Sequence, residues 1–194
     1  MFYKQFINPI ELIILPGSSR IISFDNAESA ENLGVELEIY KDLSFMQKFI
    51  DRQFWSNIYV SANYAYIESE IVLDSEQAGG QTNNTRPLQG QSPYVANFQI
   101  GYDNKDKDLS LSLLFNVFGE RISEAGTSGK PDVYEQPFNQ IDFVYSQKLF
   151  DDFKLSFKAK NLLDDEVLFL VGDETARSYT KGRSFSIGLS YDFY

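Results

Sequence analysis

The chain has 194 residues, long enough for one domain with a core or for part of something larger. It contains no cysteine and no histidine, which excludes disulfides, thiolate zinc sites, His-dependent triads and haem ligation through His. The formal net charge of −11 argues against a nucleic-acid partner, because phosphate binding needs clustered Lys and Arg. No apolar run approaches the roughly 18 residues of a transmembrane helix, so a bilayer, if met at all, is met by strands.

In chain order, a first, poorly patterned strand is expected within Phe2 to Leu15. The stretch Met1 to Ser19 carries a lysine, the run Leu12 to Leu15 and then small residues, but Asn8, Pro9 and Glu11 break its apolar region, so it reads as strand rather than targeting sequence. Val35, Leu37 and Ile39 oppose Glu36 and Glu38. Ile58, Val60, Ala62, Tyr64 and Tyr66 alternate with Asn57, Tyr59, Ser61 and Asn63. Tyr94, Ala96, Phe98, Ile100 and Tyr102 alternate with Val95, Asn97, Gln99 and Gly101. Leu109, Leu111, Leu113, Phe115 and Val117 oppose Ser110, Ser112, Leu114 and Asn116. Ile141, Phe143 and Tyr145 alternate with Asp142, Val144 and Ser146, and Phe153, Leu155, Phe157 and Ala159 with Lys154, Ser156, Lys158 and Lys160. The last strand, from Ser184, puts Phe185, Ile187, Leu189, Tyr191 and Phe193 on one face and Ser184, Ser186, Gly188, Ser190 and Asp192 on the other. Period-two alternation in about eight segments predicts an all-β antiparallel protein with one apolar and one wet face.

The connections sharpen this. Asp103 to Lys107 and Phe150 to Asp152 are short, whereas Asp74 to Gln91, Gly119 to Pro137 and Asp164 to Lys181 are long. Lys41 to Phe54 is the exception, too long for a tight turn. Short turns at one end and long loops at the other predict a transmembrane β-barrel wall with periplasmic turns and extracellular loops. A lysine facing mid-bilayer lipid costs about 2 to 4 kcal/mol, so Glu36, Glu38, Lys154, Lys158, Lys160 and Asp192 are expected to face the lumen or lie near the rim. A soluble all-β binding module, with the apolar faces as its core, is the alternative that the alternation leaves open.

The ending resembles the signal by which outer-membrane proteins are recognised for assembly: Ser186, then Gly188, then the aromatics Tyr191 and Phe193, with Tyr194 following where such chains usually stop. Seven segments together resemble the C-terminal third of a TonB-dependent outer-membrane receptor: F-Y-K-Q-F-I-N-P-I-E from Phe2, N-L-G-V-E-L-E from Asn32, N-Y-A-Y-I-E-S-E from Asn63, R-P-L-Q-G-Q-S-P-Y from Arg86, F-N-V-F-G-E-R-I from Phe115, K-N-L-L-D from Lys160 and Y-T-K-G-R-S-F from Tyr179. The Arg86 segment looks most like receptors of Bacteroidetes-type bacteria. The resemblance implies a barrel of some twenty-two strands closed around a plug, a TonB-coupling motif and import of a scarce nutrient such as an iron chelate, cobalamin or an oligosaccharide. It implies as partners outer-membrane lipid, the barrel-assembly machinery, the plug, the TonB system and an extracellular ligand. Plug and N-terminal strands are not among these residues, so residues 1 to 194 are expected to be the C-terminal portion of such a barrel, unable to transport alone. A self-contained eight-stranded barrel that anchors or adheres is the runner-up.

Site expectations are few. No catalytic residue, cofactor or metal ligand is expected. Asp103, Asp106 and Asp108 lack the glycine and terminal glutamate of a calcium loop, Leu114 standing in the glutamate's place, and read as a solvated turn. Asp164, Asp165, Glu166, Asp173 and Glu174 read as a polar loop rim. Glu36, Glu38, Lys158, Lys160 and Asp192 are expected to meet the plug. Arg86, Gln89, Gln91 and Tyr94 lie where a long loop returns to the barrel, and either touch ligand or anchor the loop.

Overall fold

The computed structural model describes residues 1–15, 21–49, 53–73, 80–150 and 153–191. Its strands are β1 (Phe2–Ile7), β2 (Ile10–Leu15), β3 (Ile21–Asn26), β4 (Ser29–Asp42), β5 (Ile58–Val72), β6 (Thr85–Arg86), β7 (Tyr94–Asn104), β8 (Leu109–Phe118), β9 (Arg121–Glu124), β10 (Val133–Glu135), β11 (Phe138–Phe150), β12 (Phe153–Lys160), β13 (Glu166–Val171), β14 (Glu174–Thr180) and β15 (Ser184–Tyr191). No helix among the described residues is long and apolar enough to cross a membrane.

Eight strands form the wall in the order β1-β4-β5-β7-β8-β11-β12-β15, every pairing antiparallel. These are the eight patterned segments. Among the described residues no ladder joins β15 back to β1, so the sheet is an open segment of a barrel.

Pairing keeps the two phases apart across every wall strand. One row runs Leu37, Tyr64, Ala96 and Val117; another runs Ile39, Ala62, Phe98, Phe115 and Ile141. On the same face Phe143, Ala159 and Phe185 form a row, as do Tyr145, Phe157 and Ile187. A register slip of one residue would move the whole set to the wet side. β4 and β5 run to 14 and 15 residues, beyond the 9 to 11 that about 30 Å of hydrocarbon needs from a tilted strand. Their surplus projects past Tyr66, whose hydroxyl donates to Glu68 Oε1 at 3.0 Å, and carries Glu31 and Glu70 as a facing pair. These carboxylates share the apolar phase, yet lie above the belt.

The expected first strand is in fact two. Asn8 adopts φ 51° and Pro9 supplies no amide to a ladder, so the chain leaves the wall after Ile7. β2 then pairs β3 as a separate hairpin. The long connections are likewise structured: β9, β10, β13 and β14 form a four-stranded sheet in the order β14-β13-β10-β9, and β6 pairs the end of β5. The Lys41 to Phe54 connection starts late, because β4 continues to Asp42, and 3-10 turns occupy Ser44–Lys48 and Gln53–Asn57.

Buried apolar side chains cluster at the loop end. Ala27, Ala30, Ile71 and Leu73 pack together with Leu88, and Phe138, Val167 and Phe169 pack with Phe118 and Val133. By contrast Leu37, Ile39, Ile187 and Leu189 are 60%, 63%, 74% and 71% exposed. A soluble module would bury such a continuous apolar face, and no described element covers it.

Candidate membrane wall, polar inner face and loop rim

The last strand shows how the wall is built. Tyr191, Leu189, Ile187 and Phe185 oppose Phe153, Leu155, Phe157 and Ala159 of β12, while Ser190, Gly188, Ser186 and Ser184 oppose Lys154, Ser156, Lys158 and Lys160. Of the expected assembly signal, Ser186 and Gly188 therefore lie on the polar face and Tyr191 on the apolar face. The Tyr191 ring packs on Phe153 at 4.7 Å between centroids. Phe193, Asp192 and Tyr194 lie outside the described residues. Gly188 leaves room for its β12 neighbour: a Cβ there would stand 2.7 Å from Ser156 Oγ, which donates to Gly188 O at 3.3 Å.

The polar face carries three hydrogen-bonded groups of amides, hydroxyls and a carboxylate. Asn97 Nδ2 donates to Asn63 Oδ1 at 2.6 Å, and Asn116 Nδ2 donates in turn to Asn97 Oδ1. Gln99 Nε2 donates to Tyr59 Oη at 2.9 Å and Ser112 Oγ at 3.1 Å. Tyr59 can lie flat there because Gly101 opposes it; a Cβ at Gly101 would meet the ring at 2.2 Å. Gln140 Nε2 reaches both oxygens of Asp142, one of which also accepts from the Asn161 amide at 2.9 Å. Ser61, Asn63, Asn97, Gln99, Asn116 and Asp142 line a shallow depression of about 190 Å³. Glu36 and Glu38, opposite Ala65 and Asn63, share this face at one side. Lys158 and Lys160, opposite Ser186 and Ser184, share it at the other.

At the loop end the four expected ligand-loop residues separate. Arg86 is 5% exposed; its Nη2 meets Glu11 Oε2 at 2.9 Å and Gln81 Oε1 at 3.2 Å, and its Nη1 donates to the Pro87 carbonyl. The guanidinium is thereby spent on joining the β2-β3 hairpin to the loop that carries β6. Gln89 Nε2 donates to the Ser123 carbonyl at 2.7 Å and so ties that loop to the Gly119 to Pro137 connection. Further ties join Thr82 N to Gly126 O, Ser128 N to Gly80 O and Asn83 Nδ2 to Asp132 Oδ2. Gln91 lines a cavity of about 300 Å³ with Ile67, Glu68, Glu120, Arg121 and Tyr134. Burial, with Asp132 and Glu120 nearby, pushes the Tyr134 hydroxyl pKa up. Tyr94 stands on the apolar phase opposite Tyr66, against Gly119.

The acidic stretches are turns and rims. Asp106 lies in the 3-10 turn Lys105–Lys107, closed by Asp108 at φ 44°. Asp165 accepts from the Asn139 amide and side chain, both at 3.0 Å, which holds its carboxyl below the usual range. Among the described residues no cluster of three or more acidic side chains is placed to hold a metal ion.

Glu11 and Gln81 escaped the sequence reading. Glu11 stands out only as a charge inside an apolar run, and that signal could have been read as a buried partner. The Asn63-Asn97-Asn116 ladder was detectable as three asparagines in one phase of adjacent strands.

Among curated proteins none matches the sequence. In solved structures the fold recurs in the copper transporter OprC, at 18% identity and a TM-score of 0.65, covering 98% of this chain and 28% of that one. It recurs in the ferric yersiniabactin uptake receptor FyuA from Yersinia pestis, at 19% identity and TM-score 0.60, covering 89% and 25%. A mutant of the ferric enterobactin receptor from Pseudomonas aeruginosa matches at 18% identity and TM-score 0.62, covering 98% and 28%. The chain thus spans little more than a quarter of the receptors it resembles. A family profile described as TonB dependent receptor-like, beta-barrel, matches residues 1–162. With eight antiparallel wall strands, an apolar outer belt and structured loops at one end, the chain belongs to the β-barrel family of TonB-dependent receptors.

Proposed function

We propose that these residues form wall and extracellular rim of a plugged outer-membrane importer, of which they are the C-terminal portion. The plug and the remaining strands belong to the same receptor. The observation that carries the reading is the uncovered apolar belt, continuous from Leu37 and Ile39 to Ile187 and Leu189, set back to back with a polar, charged face. Lipid is the solvent that suits one side, and a lumen suits the other. The similar receptors take up copper, ferric yersiniabactin or ferric enterobactin by name, which favours a metal or metal-chelate cargo over cobalamin or an oligosaccharide. Energy comes from the TonB system acting on the plug. Of the rim residues, Gln91 is assigned to ligand contact, Arg86 and Gln89 to bracing the loops, and Tyr94 to anchoring at the lipid interface.

The last strand carries the signal for the barrel-assembly machinery. Two roles converge on its aromatics, recognition and anchoring at the periplasmic interface. The test is the heat-modifiable, folded band of the receptor in Gram-negative outer-membrane fractions, compared at equal synthesis. Wild type is expected there, Tyr191→Ala with Phe193→Ala is expected to lose most of it, and Ser190→Ala to keep it. A receptor absent from that fraction overturns the membrane reading; equal bands for wild type and double mutant overturn the assembly role alone.

A further inference from the structure

We propose that the connection from Lys41 to Asn57 is an interfacial foot, which lies on the periplasmic leaflet of the bilayer and holds an acidic phospholipid headgroup with Lys41 and Lys48. The inference rests on the membrane reading above and adds a lipid site of defined charge.

This connection shares its end of the wall with the short β7–β8 and β11–β12 connections, yet it is much longer than either. Its second 3-10 turn, Gln53–Asn57, folds back against the apolar face. There Phe54 stacks on Tyr102 at 5.2 Å between centroids, and Tyr102 stands on the apolar phase of β7, opposite Ile58. Ile58 is accordingly 8% exposed, against 43% for Tyr64 further along the same phase. Trp55 meets Phe54 edge-on at 5.9 Å, and Asn57 Nδ2 donates to Tyr102 Oη at 3.4 Å. Rings with polar tips, set at the end of an apolar phase, suit the headgroup boundary of a bilayer.

Charge gathers around these rings. Among the described residues of the eight wall strands, Lys41 is the one basic side chain on the apolar phase, where it opposes Val60. Its Nζ lies 5.6 Å from the centroid of the Phe45 ring. Residues three apart eclipse in a 3-10 turn, so Lys48 stands on the face of Ser44–Lys48 that carries Phe45. Two lysines thus attend one exposed ring. The neighbouring acids do not answer them: Asp42 stands on the opposite phase, and its Oδ1 accepts from Ser44 N at 3.2 Å. Asp103, Asp106 and Asp108 belong to the β7–β8 end, two strand spacings from β4. That is about 10 Å at roughly 4.8 Å per spacing, beyond a screening length of about 8 Å.

The occupant has to take exposed rings, Phe45, Phe49 and Phe54, and two cations at a single boundary. A free anion leaves the rings in water. A phospholipid leaflet answers both, with acyl chains for the rings and phosphate for the lysines, whose stems lie along hydrocarbon while the ammonium groups reach the headgroups. Continuity argues for the same occupant, since the phase of Lys41 runs directly into Ile39 and Leu37 of the uncovered belt.

The experiment is photolabelling of the intact receptor in phosphatidylethanolamine vesicles doped with phosphatidylglycerol or, at equal mole fraction, with phosphatidylcholine. Each dopant carries a diazirine at the glycerol end of one acyl chain, and adducts are located by peptide mass spectrometry. A lysine near an acidic membrane surface favours association about fivefold, so phosphatidylglycerol is expected to label Phe45 and Phe49 more than phosphatidylcholine by at least that factor. Lys41→Gln with Lys48→Gln is expected to remove the excess. Raising salt from about 0.1 M to about 1 M, which shortens the screening length from about 10 Å to about 3 Å, should do the same without any variant. A diazirine at the methyl end of the chain should label Ile187 and Leu189 throughout. With that label present, equal labelling of the foot by the two dopants, no labelling of it, or an excess that survives the substitutions or the salt overturns the headgroup site and leaves the membrane reading standing. A folded receptor in which Ile187 and Leu189 escape the methyl-end probe overturns both.

Discussion

The pair Glu11 and Arg86 shows what one residue can decide. Both side chains are buried, 6% and 2% exposed, and they meet across 75 positions of chain. Removing one partner of a buried pair strands the other charge and costs about 3 to 5 kcal/mol, whereas removing both together is close to neutral. Glu11→Ala is therefore expected to lower the opening free energy of the loop hub by about that amount. The double change Glu11→Leu with Arg86→Met should recover most of it. Amide exchange at Ala27 and Leu73, whose N–H groups bond Pro9 O and Asn84 O, reads the effect; unchanged exchange in Glu11→Ala would refute it. Asp165 predicts a pH dependence. Its folded-state pKa lies below the unfolded value because Asn139 donates to the charged form. Its stabilisation is thus complete above the ordinary carboxylate value of roughly 3.9 and is lost as pH falls through the lower folded-state value. Amide exchange at Asn139 should accelerate in acid, relative to Asp165→Asn, over that window only.

At the scale of the element, a wall strand is two half-strands interleaved, and adjacent residues stand on opposite faces of the sheet. Leu113 pairs with Ile100 and Phe143 on the apolar side, while Leu114 sits between Gln99 and Asp142 on the polar side. Leu113→Lys is expected to cost about 2 to 4 kcal/mol, the figure for a midplane lysine in lipid. Leu114→Lys, with Asp142 beside it, is expected to cost under about 1 kcal/mol. Urea unfolding of the receptor from lipid vesicles separates the two, and equal costs would mean that the faces are assigned wrongly. The loop elements follow another rule. β9, β10, β13 and β14 are short and pack Val167 and Phe169 onto Phe118 and Phe138, so they derive order from the ends of β8 and β11.

At the scale of the whole molecule, the open order β1 to β15 leaves, among the described residues, two strand edges that pair with no further strand. Such edges, next to an exposed apolar face, are templates for association. Residues 1–194 made alone are expected to aggregate without detergent. A monodisperse, detergent-free monomer with a cooperative melt would contradict the open-segment architecture. Small hydrophobic clusters at the loop end give the rim packing of its own, and Glu11–Arg86, Gln89–Ser123 and Asn83–Asp132 tie it across three loops.

From the sequence by itself the eight wall strands, their two faces and the alternation of short and long connections could be read, because side-chain period and turn composition are local properties repeated in every strand. The segments from Asn32, Arg86, Phe115 and Lys160 already pointed to the family. Tertiary structure alone decided that Phe2 to Leu15 splits at Asn8 and Pro9, that the long loops pair into sheets, and that Arg86 is buried. Each of these depends on contacts between residues tens of positions apart. A loop sequence rich in polar residues does not encode whether its hydrogen bonds go to water or to another loop; that is settled only when packing excludes the water. The sharing of one polar face by the lysines of β12 and the glutamates of β4 is of the same kind, since they acquire a common surface only through the strands paired between them.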